Sequence, residues 1–126
     1  MSRSLAATLL VASCTAAIAL EKAMPEPLGP DVVGLIHDAV RERLKDPESA
    51  RFGTLVGGQD QKGVFSACGW VNSKNSFGGY TGIMPFAGIM IEVSNKRVFH
   101  VVSMGDGGDG SDAVLALCKA LGLPLR

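Results

Sequence analysis

Charge of one sign is what this chain most clearly lacks. Its 12 Lys and Arg balance 12 Asp and Glu, so it has no broad basic field to hold a polyanion, and nucleic acid is not expected as a partner. Histidine occurs twice and cysteine three times. There is no Cys-x-x-Cys pair, and neither His37 nor His100 lies close to a cysteine in sequence. The zinc-ribbon and dithiol patterns are therefore missing. Phosphate loops, zinc-protease helices, haem-attachment motifs and nucleophile elbows are missing too. The sequence nominates no catalytic residue and no cofactor. Aromatic residues make up 6 % of the chain, so any aromatic placed in a loop draws notice. Beyond the first 20 residues no apolar run is long enough to span a bilayer.

The N-terminus is the most informative segment present. Arg3 gives a short positive start, and Ser4 to Ala19 carry no charge. The stretch ends in Ala17-Ile18-Ala19, a small-x-small pattern of the kind signal peptidase cuts. Residues 1–19 therefore read as a secretory signal. The same stretch holds Val11-Ala12-Ser13-Cys14, which resembles a bacterial lipobox. Cutting before Cys14 would leave a lipoprotein, touching a membrane only through its acyl chains. Under either cut the product is exported, as a periplasmic or secreted protein or as a membrane-anchored lipoprotein.

Removing Arg3 leaves one more acid than base. Cys68 and Cys118 become the only unmodified thiols, and two thiols in an oxidising compartment are expected to pair. Residues 20–30, with Pro25, Pro27, Gly29 and Pro30, read as a linker. Residues 31–126 read as a single domain.

Periodicity orders that domain. Val33, Ile36, Val40 and Leu44 recur at helical spacing from Pro30-Asp31, and Pro47 stops the helix near Lys45. Strands are expected over residues 52–56, 64–72, 81–93 and 97–103, with a turn over 57–63. The second has two apolar faces and should be central. Pro85 and Gly88 imply a bulge, bend or edge in the third. Ser111 is a candidate cap for a last helix bearing Val114, Leu117, Cys118 and Leu121. The expected fold is α+β, in the order α-β-β-β-β-α. A small antiparallel sheet of about four strands carries both helices on one side, with a Cys68–Cys118 bridge.

Three places merit a functional reading. Lys74, Asn75, Ser76, Phe77 and Tyr80 form a glycine-rich loop that can present two rings to a partner. Asp106, Asp109 and Asp112 lie in a loop whose Gly107-to-Leu115 stretch fits a single calcium-binding nonapeptide. One copy is a weak signal, and no metal is expected. His37 falls on the polar helix face and reads as solvated, while His100 alternates with Val98 and Val102 and reads as partly buried and structural.

The segments Lys45-Asp46-Pro47-Glu48-Ser49-Ala50-Arg51-Phe52 and Cys68-Gly69-Trp70-Val71-Asn72-Ser73-Lys74-Asn75-Ser76-Phe77-Gly78-Gly79-Tyr80-Thr81-Gly82 carry a resemblance. They resemble a family of small exported bacterial proteins with K-D-P-x-S-A-x-F and C-G-x-V-N-x-K-N-S-F-G-G-Y-x-G motifs. Members are usually described as hypothetical proteins or lipoproteins. The likeness covers roughly residues 31–90. It implies a bacterial envelope location and transfers no catalytic residue; position 70 falls where the motif varies.

The expected function is a non-catalytic binding or structural module of the cell envelope, meeting an envelope protein or cell-wall glycan through the loop. The rival readings are an envelope hydrolase using His100, an inhibitor of a lytic enzyme, and a calcium-dependent adhesion protein using the three aspartates.

Overall fold

The computed structural model describes residues 21–126. The signal reading of residues 1–19, the cut after Ala19 and the lipidation reading of Cys14 lie outside them. The elements are β1 (Met24–Pro25), α1 (Pro30–Arg41), a 3-10 turn (Pro47–Ser49), β2 (Arg51–Gln59), β3 (Phe65–Asn72), β4 (Met84–Val93), β5 (Lys96–Met104) and α2 (Asp109–Ala120). The five strands form one sheet in the order β1-β2-β3-β4-β5, each pair antiparallel.

Helix α1 starts where expected. Pro30 needs no N–H partner in a first turn, and Asp31 suits the positive helix end. It ends at Arg41 rather than near Lys45. Arg43 N–H then bonds the Val40 carbonyl at 2.9 Å and Leu44 N–H the Arg41 carbonyl at 3.0 Å, tighter turns that use up the last carbonyls.

Strand β3 is central, as its two apolar faces require. Successive β3 side chains point to opposite faces, and each face has its own core. Phe65, Ala67 and Val71 pack with Ile36 and Val40 of α1 and with Phe86, Phe99 and Val101. Cys68 packs with Ala87, with Val114 and Cys118 of α2, and with Ala23 and Leu123. The two helices therefore cover opposite faces, not the one side expected. Two apolar faces on one strand need two covers, so the same alternation that marks β3 as central calls for a helix on each. Each fully buried Phe, Ile or Val contributes about 1.5–3 kcal/mol relative to exposure.

The Cys68–Cys118 disulfide joins the middle of the sheet to α2, with Cα atoms 6.1 Å apart and both residues fully buried. Gly69, beside Cys68, lies under the Phe86 ring, where an added Cβ would come within 2.5 Å of the ring carbon. Only glycine allows that approach.

The expected linker contains a strand. Met24 and Pro25 pair with Gln59 and Gly58, Ala23 N–H bonds the Leu121 carbonyl at 2.8 Å, and Ala23 is buried. This fifth strand also extends β2 to Gln59 through what the sequence suggests is a turn. Pro85 lies inside β4, and the register slips between Ala87 and Gly88, so the expected irregularity is a bulge. On the edge strand β5, the Val101 carbonyl accepts a 3.0 Å bond from the Arg43 guanidinium, which blunts an open edge. No helix among the described residues is long and apolar enough to cross a membrane.

Candidate functional site

The site grows from Ser49. Pro47 sets the first position of the 3-10 turn. The Ser49 hydroxyl donates to the Asp46 carbonyl at 2.8 Å and accepts the Lys74 N–H at 2.8 Å. The Ser49 carbonyl takes a 3.2 Å bond from the Tyr80 hydroxyl. The two motif segments, separate in sequence, thus form one hydrogen-bonded corner.

Tyr80 is held in that corner. The Arg51 guanidinium lies 4.2 Å from its ring centroid and the Lys74 ammonium 5.6 Å, both favourable against the negative face of the ring. Tyr80 also forms a bridge with Lys74 across the base of the loop. Below it, Asn72 Oδ1 accepts the Gly82 N–H at 3.2 Å, and the Ser73 carbonyl accepts the Thr81 N–H at 3.0 Å.

The loop above the bridge is bound to itself. Asn75 Oδ1 accepts the N–H groups of Phe77 at 2.9 Å and Gly79 at 3.2 Å. Its backbone N–H donates to the Gly79 carbonyl at 2.8 Å, and its carbonyl accepts the Gly78 N–H at 3.1 Å. Asparagine suits this turn because its short amide reaches backbone two residues on. Gly78 has φ +82°, a region that disfavours other residues. At the tip Phe77 is 97 % exposed, beside exposed Ser76. Of the two rings read as presentable, Phe77 stands in solvent and Tyr80 is spent on the scaffold.

The other candidates fall elsewhere. His37 is half-buried rather than fully solvated; its ring stacks on Phe52 with centroids 3.7 Å apart and planes 8° from parallel. Burial there holds its pKa below the usual histidine value, Arg41 lowers it further, and Asp38 partly opposes. His100 is exposed, as are Val98 and Val102 on the same face of β5, and it sits opposite Ile89.

The Asp106 carboxylate turns onto its own loop, accepting the Gly108 N–H at 2.9 Å. That bond holds its pKa below the ordinary carboxylate range, with the Ser111 and Gly110 N–H groups adding to it. Asp109 and Asp112 are exposed in the first turn of α2, where negative charge favours the helix. Among the described residues no three His, Cys, Asp or Glu side chains are grouped to hold a metal ion. Ser111 does not cap α2. The helix starts two residues earlier, after Gly108, and the Ser111 hydroxyl accepts the Gly107 N–H at 2.9 Å.

Sequence reasoning passes over Ser49 and Arg51 as site residues, although the K-D-P-x-S-A-x-F segment names Ser49. It also passes over Trp70. Between the pairs Phe52–Val71 and Leu55–Gly69, two β2 residues, Gly53 and Thr54, face Trp70 alone. Two hollows adjoin Trp70 at this bulge, one of about 220 Å³ and one of about 430 Å³. No protein-family model matches this chain, and searches of curated proteins and of solved structures gave no significant match.

Proposed function

We propose that this chain is a non-catalytic binding module of the bacterial cell envelope, which meets a protein partner through the loop Lys74–Tyr80. Phe77 carries the reading. A ring fully in solvent gains nothing for the fold, yet the loop beneath it is fixed by four internal hydrogen bonds and by the Ser49–Tyr80 corner. A fixed loop loses little entropy on binding, and a lone aromatic that enters a partner's pocket is the usual form of an interface anchor. The export pattern and the family resemblance support the envelope as the place where this occurs.

The same observation favours an inhibitor of a lytic enzyme as the second reading, since a pinned, protruding loop can plug a cleft. The hydrolase and calcium-adhesion readings gain no such support, because His100 stands beside Val98 and Ile89 and the Asp106 carboxylate is engaged by its own loop.

The test is Phe77→Ala in the native host. Its melting temperature should match the wild type within about 1 °C, since an exposed side chain adds almost nothing to stability. The cross-linked partner recovered with wild type should be lost, at least tenfold for an anchor worth about 2 kcal/mol. Full recovery with the variant would sink the assignment.

A further inference from the structure

We infer a second binding site, next to the loop corner and sharing Arg51 with it: a groove along Trp70 that takes a sugar chain bearing carboxylates. Trp70 is half-buried on the α2 face of β3, at the end of the sheet that α2 does not cover. The β2 bulge sets Gly53 beside it, where an added Cβ would lie 3.1 Å from the Trp70 Cβ. A side chain at position 53 would crowd the base of the indole. Bulges of this kind re-aim side chains and open the sheet surface. Ile83 forms the far wall and is 64 % exposed, an apolar side chain with no packing role to account for it.

The occupant follows from the shape and charge of the groove. Two hollows share Trp70, Gly53 and Ile83. Arg51 lines one and Arg126 lines the other, and no Asp or Glu side chain lines either. Two adjoining hollows that share one indole, each with its own arginine, fit a chain of more than one unit. Each unit needs a flat apolar face for Trp70 and an anionic group for a guanidinium. A six-membered sugar ring carrying a carboxylate has both. Its C–H face rests on the indole, and its carboxylate matches the two-pronged guanidinium fork. Asn72, which lines the Arg51 side, uses Oδ1 for Gly82 N–H and keeps its amide N–H groups for a ring hydroxyl. An extended acidic peptide is the rival occupant, but strand addition along β2 meets the bulge at Gly53–Thr54, where the ladder is broken.

Trp70 is the only tryptophan, so its fluorescence reports the site directly. Purified protein is titrated with tetragalacturonic acid, with the neutral tetramer maltotetraose, and with an acidic decapeptide of alternating Glu and Leu. The uronate should give a saturable change in Trp70 emission that weakens as salt rises. Arg51→Gln and Arg126→Gln should each weaken it roughly tenfold or more, as loss of a charged hydrogen-bonding partner does. Both arginines lie at the surface, and an unchanged melting curve establishes that the variants fold. Phe77→Ala should bind the uronate like wild type, which separates this site from the loop. No saturable response to the uronate overturns the proposal. So does an equal response to the neutral tetramer, tighter binding of the peptide, or unchanged affinity in both arginine variants.

Discussion

Reducing the Cys68–Cys118 bond should cost the domain about 4 kcal/mol. The bond closes a loop of 50 residues, and the chain-entropy relation assigns a loop of that length roughly this much constraint on the unfolded chain. A domain of this size has about 5–15 kcal/mol in total. For about 100 residues the unfolding entropy is near 0.2 kcal/mol/K, so the melting temperature should fall by about 20 °C. Calorimetry of oxidised and reduced protein at the same pH measures the difference. Both thiols remain in place after reduction, so no cavity contributes to it.

The burial of the bond adds a kinetic expectation. Cys68 and Cys118 have no exposed surface, and a thiolate must reach a sulfur to attack it. Reduction without denaturant should therefore follow opening of α2 from the sheet, and should speed up steeply when urea is added. A fall of less than about 5 °C on full reduction would refute the reasoning, because the loop entropy would then be absent or repaid by strain.

Other perturbations test other links. Gly69→Ala should cost about 2–3 kcal/mol in chemical denaturation, because its methyl would strike the Phe86 ring and Leu55 at the centre of the sheet. Tyr80→Phe should cost about 0.5–1.5 kcal/mol through the lost bond to Ser49, while an exposed-ring control, Phe77→Leu, should cost nothing measurable. The pH dependence of His37 has a definite sign: its folded pKa lies below the unfolded 6.5, so the unfolded chain binds the proton better. Its stability is intact above about pH 6.5 and is lost as pH falls through the lowered folded value. His37→Phe, which keeps the stack on Phe52, should flatten the melting temperature between pH 7.5 and 5; an unchanged slope would contradict the assignment.

The parts of the fold legible in sequence are those written in periodicity. Helix α1, the four long strands and α2 follow from apolar spacing, and the bridge follows from counting thiols. Strand β1 was hidden for a physical reason. Two residues carry no period, and the flanking prolines suggest a linker. What makes Met24–Pro25 a strand is remote: Gly58 has no side chain, so the Met24 carbonyl can sit 1.8 Å from where a Cβ would be, and the Leu121 carbonyl waits for Ala23 N–H. Helix α1 ends a turn before the limit set by Pro47, because a proline marks the last position at which a helix can run, not where it stops.

The site was legible as a list of residues and not as an arrangement. Ser49 and Tyr80 are 31 residues apart, so a linear reading gives two motifs with two roles. In the fold, the first motif is the floor on which the second stands. That changes the meaning of each residue. In sequence Asn75 and Tyr80 look as if they face a partner, but with Gly78 they hold the turn; Ser49, outside the loop in sequence, ties to it through two hydrogen bonds, from the Lys74 N–H and the Tyr80 hydroxyl. Once those residues are assigned to the scaffold, Phe77 is the one large side chain of the loop that the fold leaves unused. On the proposed reading, the binding surface is therefore small and centred on it. Any partner gains affinity from how well its pocket fits one ring, and little from the polar loop atoms already satisfied within the chain.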